Sequence, residues 1–492
     1  MKTSIKFLSS LLLITGFLLF SSCHKDLNVE YDNLPDYDKA LKNPEDVANI
    51  AKAGFYNWFM AMNSSLSPRM AMWVAADQGT CSWANSGMYH LSDEPRKAFN
   101  NDVSYTYANI FEKYYSSMHA TNSQMNDVLK KINEGMKLGN NGRDTKMITA
   151  YAKFIQGVTL GYMGLVYDKT FIVTEYSDPK TVELSDYTEV IDSAIAKLDE
   201  AIAICKKKNF KIPYDWINGR EYKSKELAKI ANSYVARLLV SAPRNKAENE
   251  NIDWNRVMKY ANNGFDEDFT VYMDDVNWVS YFRYYTVRPG WARIDCRIIN
   301  LMDTDYPSRF PADGQNPPAA ESDDARLASD FSFNASNNMK PERGYVHYSN
   351  YEYTRYPYKV SVHTGDVPIF LKAELDLIKA EAMVHLGDLT GAIDIINNGT
   401  RVSRGNLPKL SSSSNEEQIL KAIFYERDIE LIQTGFGIAF FDMRRRDYLQ
   451  EGTLLHFPIP GKELAVLELK HYTYGGVANA DGVNTSNGGW DK

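Results

Sequence analysis

The chain has 492 residues, more than one ordinary hydrophobic core serves, so it calls for two cores or one repeat-built body with large insertions. With 44% apolar and 24% charged residues and a mean hydropathy of -0.41, the composition is globular and argues against extended disorder. A formal charge of -8 makes nucleic acid a poor partner, and 32 tyrosines against 8 histidines favour stacking and hydroxyl hydrogen bonding over metal or acid–base chemistry.

Lys2 and Lys6 precede an apolar run from Phe7 to Phe20, short for a membrane span, and Ser21-Ser22-Cys23 closes it. Residues 1–22 therefore read as an export signal. Small residues before a lone cysteine resemble a bacterial lipobox, in which Cys23 is acylated, for example by palmitate, and becomes the new N-terminus. Loss of residues 1–22, which hold Lys2 and Lys6 and no acid, takes the formal charge from -8 to -10. Two or more acyl chains hold a protein on a membrane far better than one, and residues 23–43, polar with Pro35, read as a tether. Cys81, Cys205 and Cys296 remain, an odd number without CxxC spacing, which points to neither a disulfide framework nor a zinc site and leaves room for a single bridge. Cys205, at a helix end, reads as a buried hydrophobe.

Residues 44–492 are expected to form one body. Pro44 opens a helix over 44–62 that carries Ile50, Phe55, Trp58 and Phe59. Met70 to Tyr89 reads as loop, with Trp73, Asp77, Gln78, Trp83, Asn85 and Tyr89 at neither helix nor strand period. These side chains suit packing under a loop or ligand contact about equally. Helical pairs are expected at about 147–204, with Ser185 capping the second helix, and at 226–264, where Pro243 ends the first helix and Arg244–Asn251 forms a charged loop. Between this pair and the next lies an insertion over 265–367, matching an earlier one over 70–100. It opens with Trp278, Tyr281, Arg283, Tyr285, Arg288, Trp291 and Arg293 within twenty residues. Tyr345 to Tyr358 alternates tyrosines with polar residues and suits a short hairpin with one aromatic face.

A third pair spans 370–399. Leu371, Leu375, Ile378, Ala382 and His385 share one helical face, Gly387-Asp388 breaks the helix, and Leu389, Ala392, Ile393 and Ile396 begin the next, so the two must pack as a hairpin of tetratricopeptide type. A fourth unit is expected over 419–446. Such units cannot bury their apolar faces alone and should stack as a solenoid. The fold class is thus mostly α, a helical-hairpin scaffold with a loop-rich insertion lobe containing short β-hairpins.

The run AELDLIKAEAMVHLGDLTGAIDIIN at Ala373–Asn397, then ERDIEL at Glu426–Leu431, FFDMRRR at Phe440–Arg446 and HFPIPGKEL at His456–Leu464 resembles the C-terminal half of the SusD/RagB family of outer-membrane nutrient-binding lipoproteins. Four ordered matches over about a hundred residues are specific where one alone is weak. Thr434-Gly435-Phe436-Gly437 and Ala439 depart from the Glu-Gly and Arg usual before that Phe-Asp core, which marks a divergent branch. The resemblance implies a lipoprotein anchored by its lipid at the outer membrane of a Bacteroidetes-like bacterium and facing the cell exterior, with a SusC-like TonB-dependent transporter as partner, an oligosaccharide or a peptide as ligand, and no catalysis.

No GxSxG, HExxH, P-loop or dinucleotide fingerprint occurs, and no catalytic residue or cofactor is expected. Asp266-Glu267-Asp268 and Asp274-Asp275 read as solvated turns, or as a weak structural calcium site, in preference to a glycosidase pair. Arg444-Arg445-Arg446 reads as a structural ion-pair network with Asp442 or the acids of Glu426–Glu430. A sugar ring stacks its C–H face on Trp or Tyr while its hydroxyls bond Arg, Asn, Gln and Asp. Those ingredients make Trp73, Asp77, Gln78, Trp83, Asn85, Tyr89, Trp278, Tyr281, Arg283, Tyr285, Arg288 and Trp291 the candidate ligand residues. Peptide capture, as on the RagB side of the family, and a tetratricopeptide scaffold for protein partners are the alternatives.

Overall fold

The computed structural model describes residues 37–81, 86–178, 180–288, 291–336, 348–356, 363–479 and 483–490. The export signal, Cys23 and most of the tether lie outside these residues. The chain divides into two compact units, Met1–Asn43 and Pro44–Lys492. In the first, the described part is one helical turn, Tyr37–Ala40, and the turn after it. The rest of this subsection concerns the second.

The second unit is mostly α. Among the described residues ten helices have eight or more residues: α1 Pro44–Asn63, α2 Ala108–Asn133, α3 Thr145–Val166, α4 Tyr187–Lys207, α5 Ser224–Ser241, α6 Trp254–Ala261, α7 Lys372–His385, α8 Leu389–Asn398, α9 Glu416–Glu430 and α10 Ile438–Arg445. From α1 to α8 each helix packs on the next, and α9 closes the row against α7 and α8. This is the stacking expected of helical pairs. The turn between α7 and α8 shows how the sequence sets it. Gly387 adopts φ 83°, where a side chain would be strained, and the Asp388 side chain then accepts the Gly391 N–H at 2.9 Å to start α8. Asn415 and Gln418 form a reciprocal capping box at the start of α9. His385 stacks on Trp254 at 4.3 Å and joins α7 to α6.

Three expectations change. A pair precedes those read from sequence: α2, a 26-residue helix, packs between α1 and α3. Its buried stripe runs through Tyr114, Tyr115, Met118, Asn122 and Met125, so the period is helical although the stripe is only weakly apolar. The fourth pair is not a hairpin, because α10 packs on α5 while α9 packs on α7 and α8. Within 70–89, Arg69–Ala75 is a helix buried on every side, which leaves no period to read, and Met88–Ser92 is a further helical turn. Two local details also shift. Asp186, not Ser185, holds the N-cap position of α4, and Lys246–Glu250 forms a helical turn inside the charged loop.

The insertion begins and ends on paired strands. β2 Phe269–Met273 runs antiparallel to β6 Gly365–Phe370, so the two ends of the segment leave and rejoin the scaffold side by side. β1 Gly79–Cys81 pairs with β3 Ala292–Ile294, which fastens the earlier insertion to the later one. β4 Phe331–Phe333 pairs with β5 Tyr351–Tyr353. Tyr351 and Tyr353 do share a buried face, but their partner strand lies some twenty residues upstream; Tyr345 and Tyr358 are outside the described residues.

Buried ion pairs join these layers. On α7, Glu374 takes a bidentate bond from Arg237 of α5 at 2.6 and 2.8 Å, and Glu381, two turns on, takes one from Arg445 of α10 at 2.6 and 2.7 Å. Arg445 also meets Asp442 at 2.7 Å, and Arg427 of α9 lies 3.0 Å from the same carboxylate. Burial alone would raise the Asp442 pKa, yet Arg427, Arg445 and Arg446 outweigh it and hold the carboxyl well below its usual range. Arg444 differs from its neighbours. It donates to three backbone carbonyls, of Leu165, Ser241 and Leu455, and so binds helix and loop ends instead of acids. Cys205 and Cys296 are free and buried, so neither forms a bridge, and burial pushes the Cys205 thiol up to about 12.

Removing one partner of a buried pair strands the other. Glu381→Ala should destabilise the fold by about 3–5 kcal/mol, and the double replacement Glu381→Met with Arg445→Met should recover most of the loss in thermal or urea unfolding. An undiminished melting temperature in the single variant would contradict this role.

Candidate functional site

The insertion lobe is locked to the scaffold by acids of α9. Arg326 reaches Asp324 and Glu426, both at 2.8 Å, and Glu430 at 3.2 Å; Arg355 meets Glu430 at 2.7 Å; Arg404 bridges Glu430 and Asp330. Arg297 forms a two-bond pair with Asp428 at 3.0 and 3.3 Å. Burial would raise the Asp324 pKa, but the Arg326 contacts hold it below normal.

On this platform Ser280 starts the helical turn Tyr281–Thr286. Its hydroxyl donates to Asn63 of α1 at 2.9 Å. Helical spacing then sorts the side chains: Phe282, Arg283 and Tyr285 point into the protein, whereas Tyr281 and Tyr284, three residues apart, are half-exposed and stack at 6.3 Å. The Arg288 guanidinium lies 3.8 Å from the Tyr284 ring centre and 4.9 Å from that of Trp291, and the His363 ring lies 4.5 Å from that of Tyr284. All of these are half-buried, so they form a partly open aromatic row with one cation between rings.

The other sequence candidates fare differently. Trp73, 5% exposed, meets Phe282 edge-on at 5.5 Å, and Trp278, 8% exposed, is wrapped by Phe55, Tyr56 and Phe59 of α1. Tyr285 is fully buried beneath Trp291 at 5.4 Å. Arg283 is buried, with Nη2 donating to the Gln433 carbonyl at 2.5 Å and the guanidinium 4.2 Å from the Tyr356 ring. Arg293 is likewise buried and pairs with Glu352 at 2.6 Å. Asp77 is a buried anchor, accepting from Arg96 at 2.7 Å, Gln450 at 2.9 Å and the Trp490 indole at 2.7 Å. Gln78 is buried, and its carbonyl accepts from the Asp295 N–H. In this structure Trp73, Asp77, Gln78, Trp278, Arg283 and Tyr285 are buried and packed against the protein's own groups. Trp83 and Asn85 lie outside the described residues. Tyr89 is half-exposed beside His90, which bonds the Tyr105 hydroxyl at 2.8 Å. Tyr281, Arg288 and Trp291 are brought together. Tyr284 and His363 complete the row; Tyr284 could have been found from its i+3 relation to Tyr281, whereas His363 arrives from the far end of the insertion with no local signal.

The adjacent acids have local uses. Asp274 accepts the N–H groups of Val276, Asn277 and Trp278, and Asp266 pairs with Lys229 at 3.0 Å. Among the described residues no group of three or more His, Cys, Asp or Glu is placed to hold a metal ion. No helix among them is long and apolar enough to cross a membrane.

Residues 267–465 match the sequence model of the SusD family, a range that holds all four motifs. Over these residues the chain matches the SusD/RagB family. Among solved structures, a SusD superfamily protein of Parabacteroides distasonis is similar with a TM-score of 0.62 at 14% identity, covering 89% of this chain and 99% of that one. A SusD-like carbohydrate binding protein of Bacteroides vulgatus gives 0.57 at 17% identity over 81% and 83% of the two chains. Another, from Bacteroides fragilis, gives 0.57 at 13% identity over 83% and 87%. No curated protein matches. The SusD motifs supply the ion pairs described above: Glu374 and Glu381 come from the first, Glu426, Asp428 and Glu430 from the second, Asp442 and Arg445 from the third. The divergent segment before the third motif is a tight turn. Gly437 adopts φ 68°, and a Cβ there would lie 2.7 Å from the Phe441 ring.

Burial separates the two tryptophans experimentally. Trp73→Ala should cost about 3–5 kcal/mol in unfolding, as a large core truncation does, whereas Trp291→Ala should change stability by only about 1 kcal/mol. Equal losses would mean that Trp291 is also core.

Proposed function

We propose that this SusD-family chain is a cell-surface lipoprotein that captures oligosaccharides on the Tyr281–Tyr284–Trp291 row. It delivers them chemically unchanged to a SusC-like TonB-dependent transporter in the outer membrane. The observation that carries the reading is the partly open aromatic row with Arg288 between its rings. Flat C–H faces of a sugar stack on such rings, and a guanidinium beside them donates to hydroxyl oxygens. Two of the similar structures are of proteins described as carbohydrate binding, which supports the same class of ligand. Anchoring through acylated Cys23, with residues 23–43 as tether to a body over 44–492, belongs to this proposal, as do the roles of residues 70–100 and 265–367 as ligand-binding insertions. Tyr89 stands with the row as a further candidate contact.

The test is calorimetric titration of the full chain in detergent with a panel of neutral oligosaccharides and short peptides, followed by product analysis of each hit. The expected result is binding of an oligosaccharide recovered intact, weakened about fivefold by Trp291→Ala, the loss of one stacking contact. Binding of peptides alone would replace the glycan by a peptide ligand, and cleaved products would overturn the non-catalytic reading.

A further inference from the structure

Three arginines stand close together in the insertion lobe, and their surroundings differ. Arg283 donates to the Gln433 carbonyl, and Arg293 pairs with Glu352 at 2.6 Å. Arg288, between them in sequence, has neither an ion-pair partner nor a side-chain hydrogen bond among the described residues. Every other arginine among those residues has at least one of the two.

What surrounds Arg288 is aromatic. Its guanidinium lies 3.8 Å from the Tyr284 ring centre and 4.9 Å from that of Trp291. Nε is buried without a hydrogen-bond partner, although the side chain as a whole is only half-buried. The Nη pair is therefore the part that can take a partner from outside. Ring faces offset some of the cost of withdrawing a cation from water, but a guanidinium's N–H groups lie in its own plane, at its rim, and lying over a ring leaves them unused. A role in holding the rings accounts for the cation–π contacts and leaves both the rim and the charge unmatched. A sugar hydroxyl would take one N–H without matching the charge. A carboxylate does both, since its two oxygens accept side by side from the planar fork. The protein itself uses that solution where Arg237 meets Glu374 and Arg445 meets Glu381.

We propose that the aromatic row prefers saccharides bearing a carboxylate, that is, uronic acid units, and that Arg288 is the residue that sets this preference. Its Nη pair receives the carboxylate while a neighbouring ring takes the C–H face of the sugar. The saccharide part rests on the glycan-binding reading above, whereas the acidic part rests on the unmatched guanidinium. The experiment titrates the full chain in detergent with trisaccharides of galacturonate, glucuronate and mannuronate, each beside its methyl ester, at low and at raised salt. The expected result is that at least one acid form binds about tenfold more tightly than its ester, with the preference shrinking as salt rises. Arg288→Gln should bring acid and ester to within about twofold of each other, at some loss for both. Arg288→Lys keeps a cation over the rings but gives up the fork, and should retain only part of the preference. Trp291→Ala should weaken acid and ester alike, because it removes stacking and not charge. Equal binding of acid and ester, both weakened by Trp291→Ala, would overturn the carboxylate preference and leave the aromatic-row reading standing. An acid preference lost in Arg288→Gln, with neither form affected by Trp291→Ala, would support the role of Arg288 and count against the row as a stacking surface. A preference that survives Arg288→Gln, or no binding of any acid form, would overturn the proposal.

Discussion

The buried carboxylates of α7 and α9 hold this structure in register. Each faces an arginine from a different part of the chain: Glu374 takes Arg237 of α5, Glu381 takes Arg445 of α10, and Glu426 and Glu430 take Arg326 of the insertion, while half-buried Asp428 takes Arg297. Isolated ionised groups at such depth would cost several kcal/mol each, so every one must meet its partner at bidentate or near-bidentate geometry. An apolar contact tolerates sliding by a residue or a few ångströms. A fork-to-carboxylate pair does not, and so the lattice fixes how the insertion sits on the helices.

That constraint gives the SusD-like motifs a structural part in this chain. ERDIEL and FFDMRRR look like charged surface, yet Glu426, Arg427, Glu430, Asp442, Arg444 and Arg445 are all buried. Their product is a lobe stiff enough to present Tyr281, Tyr284 and Trp291 as a set. A preformed set loses less freedom on binding than one assembled around each ligand.

Much of the scaffold was legible because helix pairs write their period and their stops into the sequence. The α7–α8 hairpin follows from one apolar stripe and Gly387-Asp388, and the α3–α4 and α5–α6 pairs follow similarly. α2 escaped because tyrosine, methionine and asparagine fill its stripe, and Arg69–Ala75 because it is buried all round. The site was legible in part. Aromatic density marked the right stretch, but Trp278 and Trp291 read alike until α1 is seen to cover the first. Exposure is a property of the neighbours, and here the neighbours come from more than two hundred residues away. The same holds for Arg283 and Arg293, which pass for ligand-binding cations in sequence and turn out to be fastened inside.

On the proposed reading, a rigid scaffold presents the ligand surface on its insertion and leaves its stacked helices out of contact with the captured glycan. Hydrogen–deuterium exchange on the full chain, with and without a saturating neutral oligosaccharide identified as a ligand, tests this most directly. Slowed exchange is expected at residues 281–291 and around His363, with α3 to α6 unchanged. Protection confined to those helices, with 281–291 exchanging as before, would contradict it.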